Sequence, residues 1–210
     1  MQVLNPATYY GRGPAPLFFA IALWVFGISV FLVVRPITGR ALVGRATPLR
    51  LALTGWLPIG GMAVLGGLLM AGVVWVLLGL DPVHQFLSLG LLVLTACCFS
   101  AIVHLLRTAL GTAGSSLLLV LLILQLSSTG GTYPTPLLPA FFAAIGPAMP
   151  MTYPIDGFRI VISGGEMSHL ARYVAVLATI LLVTHALSVL VVRHRQGFTV
   201  KDLHPPLVSP

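Results

Sequence analysis

Few residues in this chain of 210 amino acids are of a type that does chemistry, and most lie within or beside long apolar runs. His185 falls near the middle of the last run and His104 near the end of an earlier one. An ionisable side chain at membrane depth is a functional candidate, because its charged form is costly there. The chemistry would be proton coupling, with His185 the better placed. A neutral histidine bonded to a neighbouring helix needs no activity, and that simpler account is preferred for both. Gln125 opens a polar cluster with Ser127, Ser128 and Thr129. The cluster either lines a polar vestibule or caps a helix where it meets water.

Arg35, Arg40, Arg45 and Arg50 recur every five residues with no acid among them. They either anchor the chain to anionic headgroups or form a short helix on which a cytoplasmic partner docks. Asp81, Asp156 and Glu166 show no spacing that would bring a pair of carboxylates together for acid–base work. Asp81 precedes Pro82 and reads as a turn or cap. Cys97 and Cys98 are adjacent in an apolar run, where thiols behave as small apolar groups, and no spacing suits zinc. The chain contains no phosphate-binding loop, H-E-x-x-H or G-x-S-x-G motif. A non-enzymatic protein without cofactor is expected, and any ATP-derived energy would need a second chain.

These residues have to be positioned by apolar elements. Hydrophobic residues make up 58% of the chain and charged residues 7%, too few charges to keep a soluble surface wet. Disorder would need the reverse composition, and a transmembrane barrel would need short alternating segments. Five runs are long enough to span a bilayer: residues 16–34, 51–80, 86–106, 112–128 and 170–192. Pro58 is expected to divide the second into an amphipathic lead-in and a span over 58–80. Within it Ala63, Gly67 and Ala71 repeat every four residues, as close helix packing wants. Residues 130–169 remain apolar but carry prolines at 134, 136, 139, 147, 150 and 154. Two short helices, 137–145 and 154–163, are expected there, neither long enough to cross. The expected fold is an all-α integral membrane protein of five transmembrane helices plus an outer, proline-rich re-entrant helical pair.

Charge orients it. Arg35, Arg40, Arg45, Arg50, Arg107, Arg193, Arg195 and Lys201 fall on one side of such a five-span chain. Arg12, Arg159 and Arg172 share the other with the three acids. The basic side is cytoplasmic by the positive-inside rule, so the amino terminus is outside and the tail 193–210 inside. That placement accounts for the net charge of +7 without nucleic acid. One arginine precedes the first run and four follow it, which fits a retained span rather than a cleaved signal.

Two blocks resemble a known family. The opening NPATYYGRGPAPLFFAIALW is similar to the start of the carboxyl-terminal membrane region of YhgE/Pip proteins. There a Tyr-Gly stretch and a proline precede a Leu-Trp in the first span. The later QLSSTGGTYPTPLLPAFFAAIGPAMPMTYPIDGFRIVISGG resembles that family's most recognisable block, with its Gly-Gly start, proline-rich hinge, Pro-Met-Thr-Tyr and Gly-Phe-Arg. The resemblance implies a fold similar to type 2 ABC exporter permeases, which have six spans. Members carry one span, a large extracellular region and then five spans, and this chain looks like the last five. It further implies that 35–50 lies where a coupling helix docks an ATPase, and that 130–169 corresponds to the outer re-entrant helices. The expected function is export of a hydrophobic or amphiphilic substrate by a homo- or hetero-oligomer in a bacterial cell membrane. The competing expectation is a non-transporting scaffold bound to a secretion or envelope membrane protein. A phage-receptor role, which family members also have, belongs with the extracellular domain.

Overall fold

The computed structural model describes residues 13–33, 46–131 and 138–196. Arg12, Arg35, Arg40, Arg45, the prolines at 134 and 136, and the tail 197–210 lie outside the described residues. Those described form the helices α1 (Ala15–Val33), α2 (Pro48–Val76), α3 (Gln85–Leu110), α4 (Thr112–Ser128), α5 (Ala140–Ile145), α6 (Thr152–Ser163) and α7 (Met167–Arg195). A turn of 3-10 helix, Gly146–Ala148, joins α5 towards α6.

Local chemistry sets the boundaries. The Thr47 hydroxyl accepts from the Arg50 amide at 3.4 Å, and Pro48 occupies the first turn, so α2 begins with its free N–H groups partly matched. Gly79 and Gly111 have φ of +64° and +61°, a conformation costly for residues with a Cβ. They close the ends of α2 and α3, and at Gly111 the chain reverses directly into α4. Pro139 caps α5, which starts three residues later than the expected 137. Pro154 sits in the first turn of α6, where no helical N–H is required of it.

Pro58 does not divide α2, contrary to the expectation from sequence. The helix runs unbroken over 29 residues, ~43 Å at 1.5 Å per residue. Proline removes one N–H donor, and apolar surroundings strengthen the helix bonds on either side. Gly55, Ile59 and Gly60 around it are buried by the neighbouring helices, and α2 packs along both α3 and α7.

α3 is the central element and touches α1, α2, α4, α6 and α7. Trp24 of α1 is fully buried; its ring meets Phe99 of α3 edge-on at 5.0 Å, and its indole N–H donates to the Leu118 carbonyl of α4 at 3.4 Å. Ala63, Gly67 and Ala71 form the buried stripe of α2. A Cβ on Gly67 would come within 2.8 Å of Leu92 and 2.9 Å of Leu23, so three helices close on that glycine. The outward faces are apolar as well: Leu69 is 71% exposed, Ile123 65% and Leu182 70%. By length and composition α2, α3 and α7 are able to cross a membrane, and α1 and α4 are shorter apolar helices.

At Gly114 a Cβ would lie 2.4 Å from the Leu106 carbonyl oxygen, whereas at Gly72 it would meet nothing within 4 Å. Gly114→Ala is expected to lower stability by roughly 1–3 kcal/mol, since backbone cannot step aside. Gly72→Ala should leave it unchanged or raise it by up to about 1 kcal/mol through helix propensity. Thermal midpoints of both variants in one detergent check this, and equal shifts would contradict the α3–α4 contact.

Candidate functional site

The α5–α6 unit is joined to the end of α4 by bonds that reach across the sequence. Gln125, fully buried, accepts from the Met151 amide through Oε1 at 3.0 Å. Met151 opens α6, where the chain leaves the 3-10 turn and its amide has no helical partner. A Cβ on Gly146 would stand 2.6 Å from the Ser128 carbonyl, so glycine allows the turn to lie directly on α4. The Thr152 hydroxyl donates to the Gly146 carbonyl at 2.7 Å and closes the turn on itself. Arg159 donates to the Gly130 carbonyl at 2.9 Å and pairs with Asp156 at 2.8 Å. On the other flank the His84 and Val83 amides donate to the Val161 and Ile162 carbonyls at 3.0 and 3.3 Å. The end of α6 is thereby tied to the start of α3. Gln125 thus serves neither a vestibule nor a water-facing cap; its oxygen fastens one element to another.

The two histidines occupy the interior between α1, α2, α3 and α7. His185 donates through its Nδ1–H to the Leu181 carbonyl one turn back at 2.9 Å, and its ring meets Trp56 edge-on at 4.6 Å. Trp56 in turn donates to the Ser100 hydroxyl at 3.1 Å, and Ser100 donates to the Cys97 carbonyl at 3.0 Å. His104 is 1% exposed and lies 6.2 Å from the Phe31 ring. Among the described residues no acid is bonded to either histidine. It is a packed cluster in which His104 Nε2 has no partner among the described residues.

At the opposite end from the α5–α6 unit, basic side chains hold helix termini together. Arg107 donates to the Gly111 carbonyl at 3.3 Å and to the Ser115 hydroxyl, with its guanidinium 5.9 Å above the Phe31 ring. Arg195 donates to the Ala109 carbonyl at 3.2 Å, and Gln196 to the Ala46 carbonyl at 3.0 Å. Leu51, Ala52 and Val192 form a small core between the start of α2 and the end of α7. Arg50 and Arg193 remain exposed at this end. Of the four arginines singled out in sequence, Arg50 is described and stands on the first turn of α2.

An apolar groove of about 870 Å³ opens between α1 and the far end of α2, lined by Phe18, Ala22, Val25, Met70, Val74 and Leu78 among others. Sequence reasoning passed over this groove and over Trp56 and Met151. Helical spacing placed Gln125 on α4, but its partner is a backbone amide 26 residues away. Nothing in residue type announces such a bond.

A central apolar helix wrapped by four others, with a proline-broken helical unit on one end and arginines on the other, defines a membrane-embedded permease-like protein. A family model for the ABC-2 type transporter matches residues 3–163, and the chain belongs to that family. It is 32% identical over 190 residues to the uncharacterized protein YhgE of Bacillus subtilis (strain 168). That match takes in 90% of this chain and 24% of YhgE, so the chain spans about a quarter of that relative's length. The YhgE/Pip resemblance seen in the two sequence blocks is therefore correct. No solved structure matches the chain.

Gln125→Leu leaves the Met151 amide buried without an acceptor, which costs about 1–3 kcal/mol. Hydrogen exchange at Met151 and Thr152 should accelerate, while Ser127→Ala, whose hydroxyl bonds the Ile123 carbonyl within its own helix, should leave it unchanged. Unaltered exchange in Gln125→Leu would contradict the junction. Burial pushes the Asp156 carboxyl above its usual 3.8, and the Arg159 guanidinium pulls it back in part. Folded Asp156 thus keeps its proton to higher pH than unfolded Asp156, so its contribution is most favourable below the unfolded value and is lost as pH rises through the folded one. Arg159→Met removes the opposing cation. Thermal midpoints measured from about pH 4 to about pH 7 should fall more steeply in this variant than in the wild type.

Proposed function

We propose that the chain is the membrane module of an exporter that moves a hydrophobic or amphiphilic substrate outward. In this reading α1, α2, α3, α4 and α7 cross the bilayer, and α5–α6 dips into the outer face as a re-entrant pair. The observation that carries it is the Gln125–Met151 junction: a broken, apolar helical pair bonded into one end of the bundle, opposite the end holding Arg50, Arg107, Arg193 and Arg195. Too short to cross, such a pair is stable at membrane depth when its broken backbone is matched by protein. The basic end is cytoplasmic under the positive-inside rule, which sets the amino terminus outside and the carboxyl terminus inside.

Energy then comes from a separate cytoplasmic ATPase docked on the segment from Arg35 through Arg40 and Arg45 to Arg50. Buried hydroxyls support a path beside the helices rather than through one copy. Those of Thr95, Ser128, Thr184 and Ser188 bond carbonyls of their own helices and line no polar channel. The groove between α1 and α2 offers an apolar wall of suitable character for the substrate's hydrocarbon part. His185 is read as structural, since its bonds serve packing.

Purification from native membranes in mild detergent, followed by mass spectrometry of co-purifying chains, tests this. A stoichiometric ATPase is expected, and its yield should drop at least ~10-fold when Arg35, Arg40, Arg45 and Arg50 are changed together to alanine, the loss of a docking site's charge contacts. Recovery of a secretion or envelope membrane protein with no nucleotide-binding chain would overturn the exporter reading and leave a scaffold.

A further inference from the structure

Two buried polar atoms on one face of α4 lack a partner among the described residues: Gln125 Nε2 and Thr129 Oγ1. Gln125 is 0% exposed and Thr129 5%, and the two are one helical turn apart. The Gln125 amide cannot be turned round to relieve this. The Met151 N–H is a donor at 3.0 Å and requires the oxygen, so the NH₂ group is held on the other side. The Thr129 backbone N–H already donates to the Gln125 carbonyl at 3.0 Å, which leaves the hydroxyl as the open group. Surroundings this apolar offer no bulk solvent to either atom.

We infer that Gln125 and Thr129 bind a buried water molecule at the seam between α4 and the α5–α6 unit. The water accepts from Gln125 Nε2 and donates to Thr129 Oγ1. Side chains one turn apart on a helix have Cβ atoms about 5–6 Å apart, a span that a single oxygen bridges at ordinary hydrogen-bond lengths. Buried waters characteristically serve polar groups that the protein leaves unmatched. A larger ligand would have to displace the fully buried Met151. His104 Nε2 and Thr108 Oγ1 form a comparable pair on α3, but an imidazole can move its proton to the other ring nitrogen, so that pair dictates no donor. The Gln125 site does. The α5–α6 unit is then fastened to α4 through one direct bond and one exchangeable molecule.

X-ray hydroxyl-radical footprinting of the full chain in lipid nanodiscs tests this, with oxidation of each methionine read by mass spectrometry. Radiolysis of a bound water labels side chains beside it even where bulk solvent does not reach. Met151 is 0% exposed and opens α6 at this junction, so it is the reporter. It is expected to take up oxygen in the wild type, and the rate should fall at least ~fivefold in Thr129→Val, which removes one of the water's two partners. Thr129→Val keeps the Gln125–Met151 bond, so it stays informative where Gln125→Leu fails to fold. Labelling of Met62, 42% exposed on α2, should not change. If Met151 is labelled no faster in the wild type than in Thr129→Val, no water is bound there and the inference is wrong.

Discussion

A polar atom placed among these apolar helices has to be matched by the protein or by a bound water, and that constraint organises the rest of the structure. In water an unmade hydrogen bond is replaced by solvent; in hydrocarbon it is not, and each unmatched group costs several kcal/mol. Most buried hydroxyls meet the requirement locally. Thr95, Thr184 and Ser188 each bond the carbonyl four residues back, which uses the helix already present. Three side chains reach to another element instead: Trp24 to α4, Trp56 to α3 and Gln125 to the start of α6. The polar residues therefore act as joints, and the apolar ones as filler between them.

That division explains why the two ends differ. The prolines between α4 and α7 break the backbone and free amides and carbonyls, and these are taken up by Gln125, Thr152 and Arg159. Glycines at 114 and 146 allow the close approaches that make such bonding possible. At the other end Arg107 and Arg195 donate to carbonyls at the end of α3, and Gln196 donates to the Ala46 carbonyl before α2. Cations beside helix carboxyl ends also suit the helix dipole. The arginines at this end thus hold helix termini together.

For an ABC-2 type transporter the consequence concerns stiffness. α3 is gripped on all sides, and its crossing with α4 allows no side chain at Gly114. α6 is packed into the core through Ile155, Phe158, Val161 and Ile162, whereas α5 has no buried residue of its own. Elements attached by few bonds and little buried area open at lower free energy than a packed core. Motion in this domain should begin at α5.

Much of the fold was legible in the sequence because hydropathy and charge are sums over neighbouring residues. The apolar runs, the interruption after Ser128 and the clustering of most arginines all follow from such sums, and they sufficed to identify a membrane protein; the family resemblance rested on two particular blocks of residues. The packing role of Ala63, Gly67 and Ala71 was readable too, since side-chain size at helical spacing is a local property. The continuity of α2 through Pro58 was not, because it depends on packing supplied by α3 and α7. The candidate site was legible only as a set of names. That Gln125 would meet the Met151 amide, or Trp56 the ring of His185 at 4.6 Å, depends on how helices far apart in sequence are turned towards one another. Composition determined which residues had to be buried; the tertiary structure decided what each buried polar atom would bond, because a hydrogen bond depends on distance and direction and a hydropathy sum contains neither.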